Sequence, residues 1–131
     1  MSEITASITR DHYRVSIQAR DHSIIADEPK ENEGTDLGPN PHELLAAALG
    51  ACTCATVRMY ADRKGMALDG LQAHITLVWD KEKNTTEIKR DITLTGSLGA
   101  EDRARLLEIA NKCPIHKALT NPIHIETNLS N

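Results

Sequence analysis

At 131 residues and 14.4 kDa the chain is long enough to bury a core, and a single domain over 1–131 is the simplest division. It has no Phe, one Trp and two Tyr, and its formal net charge of -4 is built from interspersed signs; neither the basic patch nor the aromatic platform of a nucleic-acid-binding protein is present. The opening residues, Met1 to Ala6, lack the basic and apolar regions of an export signal, and three cysteines in such a chain argue against a disulfide framework, so a cytoplasmic protein with buried or functional thiols is expected.

Residues 3–9 and 12–19 alternate as half-buried strands, with Ile4, Ala6 and Ile8 in one apolar row and Tyr13, Val15, Ile17 and Ala19 in another. Arg10-Asp11 and Arg20-Asp21-His22 suit turns, and residues 23–27 suit a third short strand. Residues 28–39 are rich in Pro, Gly and acid and read as an exposed loop leading into a helix. That helix runs from Asn40 to Gly65. Asn40 is a good N-cap, Pro41 suits the first helical position, and Glu43 completes a capping box. Arg63 and Lys64 complement the far end of the dipole, and Gly65 stops the helix. No charge occurs between Glu43 and Arg58, and the side chains there are small or apolar all round, which predicts a buried central helix. The uncharged stretch of about 14 residues spans roughly 21 Å, too short for a bilayer.

Beyond Gly65, Leu71, Ala73, Ile75, Leu77 and Trp79 lie at period two, Lys81 to Thr85 form a polar turn, and Ile88, Ile92 and Leu94 continue an antiparallel partner. A helix is expected from about Glu101 to Asn111, then a short helical turn at His116 to Leu119, then a strand carrying Ile123, Ile125, Thr127 and Leu129. Strands, helix, strands, helices and strand in that order make an α+β domain.

Cys52 and Cys54 are two apart on a helix, about 200° around its axis, so they cannot pair while the helix is intact, and at most one shares a pocket with Cys113. Cys113 precedes Pro114, which often opens a helix, and Lys112, His116 and Lys117 add positive charge, so a reactive thiol there is chemically reasonable. Any one of the three could equally be a small buried hydrophobe, and that is the ordinary state expected for Cys54. The six histidines are scattered singly, without metal-ligand spacing, so no metal site is expected; His116, three beyond Cys113, could tune the thiol but reads first as a solvated helix-end residue.

Asn40-Pro41-His42-Glu43-Leu44-Leu45-Ala46-Ala47-Ala48-Leu49-Gly50-Ala51-Cys52 and Asn111-Lys112-Cys113-Pro114-Ile115-His116-Lys117 resemble the two signature segments of the OsmC/Ohr family of thiol-dependent peroxidases. The resemblance implies antiparallel sheets wrapping a long central helix in an intertwined homodimer. It matches Cys52 to the peroxidatic and Cys113 to the resolving cysteine, with an organic hydroperoxide as substrate. It also implies an external dithiol reductant, such as a lipoyl protein, and no cofactor. An arginine and a glutamate activate the thiol in the family's peroxidases. Here His42 stands where the glutamate is expected, with Glu43 next to it, and Arg10 or Arg20 are the candidates for the arginine. Leu44, Leu45, Leu49, Val57 and Met59 are candidates for an apolar substrate pocket. The alternative is a non-catalytic relative that binds a small apolar or thiol-reactive ligand in the dimer cleft.

Overall fold

A computed structural model describes residues 1–131. It contains two antiparallel sheets and three α-helices, and the chain divides into two compact units, Met1–Ala47 and Ala48–Asn131. The α+β expectation holds.

In the first unit, strands β1 (Thr5–Ser7), β2 (Val15–Ala19) and β3 (His22–Ala26) pair in that order. The β2–β3 turn is closed by Ala19 opposite His22, with Arg20 in the left-handed region at φ 54° and its carbonyl accepting from Gln18 Nε2 at 2.7 Å. The loop that follows is more than an exposed connection. Asp27, 1% exposed, accepts backbone N–H bonds from Tyr13, Glu28, Thr35 and Leu37 and a hydroxyl bond from Thr35. A buried carboxylate must be met by donors, and this one gathers the loop around itself.

Helix α1 (Pro41–Lys64) has the ends the sequence specifies. Asn40 Oδ1 accepts from the Glu43 amide and Glu43 Oε1 from the Asn40 amide, both at 2.8 Å, a reciprocal capping box. At the other end Gly65, at φ 65°, lets the Met66 amide reach back to the Ala61 carbonyl at 2.9 Å.

In the second unit, β4 (Leu68–Asp80) and β5 (Thr85–Gly96) form a long hairpin, with an irregular register between Leu68 and Gly70. Asp80 Oδ1 accepts from the Glu82 and Lys83 amides, which sets the turn. Helices α2 (Ala100–Ala110) and α3 (Pro114–Thr120) follow. The core joins Val57 and Ala61 of α1, Leu68 of β4 and Leu106, Ile109 and Ala110 of α2, with Leu71, Ile92 and Leu94 packed against it.

Several expectations fail. The row of Ile4, Ala6 and Ile8, expected to be half-buried, is exposed. Helix α1 buries only Leu49, Thr53, Val57 and Ala61, one stripe at four-residue spacing, rather than its whole circumference. Residues 123–129 form no strand, and Ile125 is 80% exposed. Trp79 keeps the period of its row but lies 47% exposed at the hairpin tip. Alternation and apolarity state what a segment could pack against, not what covers it. Counted whole, α1 is also long and apolar enough, by length and composition only, to cross a membrane, which the shorter uncharged count missed. Val57 and Ala61 of its buried stripe pack with Leu68 of β4 and with α2.

Candidate active site

Three elements of the second unit bring polar chemistry to one place. Gly50 lies on the α1 face toward β4, where an added Cβ would stand 3.2 Å from Ile75 Cδ1, so the helix comes close to the sheet. Two and three residues on are Cys52, half-buried, and Thr53, fully buried. On β5 the inward row is Ile88, Arg90, Ile92 and Leu94, while Glu87, Lys89, Asp91 and Thr93 are exposed. Strand alternation therefore points a guanidinium inward, opposite Ile75 across the hairpin. Cys113 caps α3, with Pro114 next and its Sγ accepting the His116 amide at 3.3 Å.

Arg90 is the hub. Its Nη1 donates to Thr53 Oγ1 at 3.0 Å, and its Nη2 to Asn111 Oδ1 at 2.8 Å and His116 Nδ1 at 3.0 Å. A guanidinium has only donors, so His116 accepts through Nδ1 and carries its ring proton on Nε2. All three partners are neutral acceptors. The ion pairs of the chain are Arg14–Asp11, Arg58–Asp62 and Arg105–Glu108, and Arg90 is in none of them. Its charge is thus uncompensated by any carboxylate. Thr53 Oγ1 lies 4.0 Å from Cys113 Sγ and donates to the Leu49 carbonyl at 2.7 Å, while Cys52 Sγ is 3.8 Å from Thr56 Oγ1.

Cys113 is 0% exposed, and Cys52 stands within reach of it for a thiol–thiol hydrogen bond. Burial pushes the Cys113 thiol up. The His116 amide, the Cys52 and Thr53 hydrogen bonds and the Arg90 charge together outweigh burial and hold it below the usual thiol value. Two neighbouring thiols, one of them held below its usual value, can exchange between dithiol and disulfide. Both remain unpaired cysteines here.

The family model for OsmC-like proteins matches residues 34–128. The chain belongs to the OsmC-like family. Solved structures agree on the fold. A protein of Psychrobacter arcticus 273-4 ascribed to osmotic stress induction and detoxification is 24% identical over 95% of this chain and 89% of its own, with a TM-score of 0.78. An OsmC-like protein of Mycoplasma pneumoniae is 21% identical over 91% and 86%, at 0.80. The organic hydroperoxide resistance protein OhrB of Bacillus subtilis is 21% identical over 92% and 90%, at 0.64. No curated protein matches the sequence.

Within this OsmC-like chain, Cys52 and Cys113 come together and Cys54 does not join them; it is half-buried rather than a core residue. His116 is half-buried against Arg90 rather than solvated. Arg10 and Arg20 lie exposed in the first unit, Arg20 in its turn, and the arginine standing at the thiols is Arg90. His42 is exposed, and Glu43 is engaged in the capping box. Val57 belongs to the core cluster, and Leu49 is buried on the same stripe. Leu44 is half-buried and Leu45 exposed, in the first unit. Met59 is 61% exposed and, seven residues from Cys52, shares its helical face with the exposed Ala48 and Ala55. No group of three or more His, Cys, Asp or Glu side chains is arranged to hold a metal. Open concavities of about 580 and 570 Å³ lie in the first unit, lined in part by Ile17, Ile24 and Ile25 and by Ile4 and Arg20 respectively, and neither is lined by a cysteine. Sequence reasoning missed Arg90 and Thr53. Arg90 had a visible signal, a lone charge inside an apolar period-two row.

Proposed function

We propose that this chain is a soluble, cytoplasmic thiol-dependent peroxidase that reduces organic hydroperoxides as a homodimer. The observation that carries the reading is Cys113 Sγ lying 4.0 Å from Thr53 Oγ1, on the residue that follows Cys52, beside an arginine that has no carboxylate partner. Cys52, the more accessible sulfur, attacks a peroxide oxygen; the O–O bond breaks, an alcohol leaves, and Cys52 becomes a sulfenic acid. Cys113 then attacks that sulfur, water departs, and a Cys52–Cys113 disulfide forms. An external dithiol, such as a lipoyl group, returns two electrons and restores both thiols. These steps call for no metal, haem or flavin.

Two observations support the dimer. Ala48, Ala51, Ala55 and Met59 leave an uncovered apolar face on α1 beside Cys52, and Ile123, Ile125 and Leu129 are exposed in the tail. A second copy of the chain would cover both kinds of surface. The apolar lining that results favours alkyl hydroperoxides over hydrogen peroxide.

The test is dithiol-dependent turnover of cumene hydroperoxide by the wild type, Cys52→Ser and Cys113→Ser. Cys52→Ser is expected to abolish turnover, and Cys113→Ser to stop it after one equivalent with a sulfenic acid left at Cys52. Undiminished turnover in Cys52→Ser, or faster consumption of hydrogen peroxide than of cumene hydroperoxide by the wild type, would overturn the reading.

A further inference from the structure

The two sulfurs of this pair are not equivalent, and the difference fixes the direction in which their disulfide can be opened. Thiol–disulfide exchange is an in-line displacement. The attacking thiolate needs the back of one sulfur, and the other sulfur must leave carrying negative charge. Cys113 has no exposed surface, whereas Cys52 is half-buried. Access therefore favours Cys52 as the sulfur attacked. The leaving side is equally one-sided. Cys113 Sγ already accepts the His116 amide at 3.3 Å, and Arg90 sits behind Thr53 with a charge that no carboxylate neutralises.

We propose that the reductant enters at Cys52 Sγ, that Cys113 departs as the thiolate, and that Arg90 is the positioning residue that makes this the favoured direction. The proposal rests on the redox reading of the same two cysteines. One thiolate of the dithiol bonds to Cys52 Sγ, and the Cys52–Cys113 bond breaks with its electron pair going to Cys113. The second thiol of the reductant then attacks the reductant's own sulfur in the mixed disulfide, closing the reductant's ring and releasing Cys52. Two electrons pass from dithiol to protein, and the two protons given up by the dithiol are matched by those the two cysteines regain.

Thr53 has a defined part in this. Its oxygen is held by Arg90, and its single proton points to the Leu49 carbonyl at 2.7 Å. When Cys113 carries charge, that proton can rotate towards Sγ without the oxygen moving, so the arginine's field reaches the sulfur through a pinned hydroxyl. The depressed value of the Cys113 thiol is consistent with this arrangement.

The test uses the full chain carrying Cys54→Ser, oxidised with diamide, so that disulfide formation does not depend on peroxide chemistry. The oxidised protein is opened with 2-mercaptoethanol, which can form a mixed disulfide but cannot close a ring, then acid-quenched, alkylated and mapped by peptide mass spectrometry. The expected product carries mercaptoethanol on Cys52 and the alkyl group on Cys113, by about tenfold over the reverse. An adduct on Cys113, or an even split, overturns the proposal. If diamide gives no Cys52–Cys113 disulfide, the proposal and the redox reading fall together. If diamide gives it and cumene hydroperoxide does not, the peroxidase reading alone fails and the adduct position still decides the direction.

Arg90→Gln and Arg90→Lys test the positioning role. With Gln, opening is expected to slow by about tenfold, and the pH profile of Cys113 thiolate absorbance in a Cys52→Ser, Cys54→Ser background to move alkaline, with Lys in between. A folded Arg90→Gln chain with an unmoved pH profile would remove Arg90 from the proposal.

Discussion

Asp27 and Cys113 are both buried, both titratable and both met by backbone N–H donors, and they do opposite things with that burial. In the first unit, Asp27 is the anion and every neighbour is a neutral donor: four amides and a hydroxyl surround it. The Thr35 hydroxyl, opposed by burial and joined by the Leu37, Glu28 and Thr35 amides, holds its carboxyl well below the usual carboxylate range. In the second unit the fixed charge is a cation, Arg90, and its contacts are neutral acceptors. A saturated anion anchors a loop. A cation short of an anion, next to two thiols, is a place where negative charge can appear during a reaction. Depth is common to both, so the sign of the surplus charge separates the carboxylate that anchors a loop from the proposed reactive site.

Asp27→Asn should break the first half of that comparison, with the largest loss of stability expected from any substitution considered. The amide cannot present acceptors to all five donors; its NH2 group must face at least one N–H or O–H that it cannot accept. Thermal unfolding is the measurement, and an unchanged midpoint would mean the loop is held by something other than this carboxylate. The pH dependence follows from the direction of the shift. A depressed carboxyl stabilises the fold fully above about pH 4 and loses that contribution as pH falls through its lower folded value. The wild-type midpoint should therefore drop in strong acid, and the drop should shrink in Asp27→Asn.

Cys113→Ser sharpens the second half and has a smaller effect on stability. Serine can still cap α3, so the change removes the titration rather than the cap. A thiol held below its usual value adds stability as pH rises through the folded value, and the contribution is complete above about 8.5. The stability difference between wild type and Cys113→Ser should therefore grow from neutral to alkaline pH, the mirror image of Asp27. A difference that stays flat with pH would show that Cys113 is not biased towards thiolate.

How much of this could be read from the sequence depends on whether the signal was local. The ends of α1 were legible, because Asn40, Pro41, Glu43 and Gly65 act on backbone groups within four residues. The hairpin was legible from period two. Cys113 at the start of α3 was legible from Pro114. Arg90 is visible in the sequence as a charge between Ile88 and Ile92, although the apolar members of the row alone do not mark it. Thr53 had no such mark: its role comes from Arg90 and Cys113, 37 and 60 residues away. The alternation of residues 123–129 and the apolar circumference of α1 were read correctly as patterns. Neither pattern says whether the covering surface is supplied by the same chain.

The smallest effect tests whether saturation matters when it lies at the surface. Asn40 and Glu43 satisfy each other's amides as completely as the loop satisfies Asp27, but both are exposed or nearly so, and water can replace what a substitution removes. Asn40→Ala should cost about 1 kcal/mol, the usual value of a lost N-cap. Glu43→Gln keeps an oxygen for the Asn40 amide and loses only the attraction of a carboxylate for the helix N-terminus, a few tenths of a kcal/mol. Chemical denaturation resolves the first and bounds the second. The same two variants also bear on the thiols. Peroxide turnover that is unchanged in Glu43→Gln leaves Arg90 as the charge serving the cysteines. A turnover that falls while stability holds would give Glu43 a direct part in thiol activation, and the contrast between a purely structural carboxylate and a reactive centre would then apply to Asp27 alone.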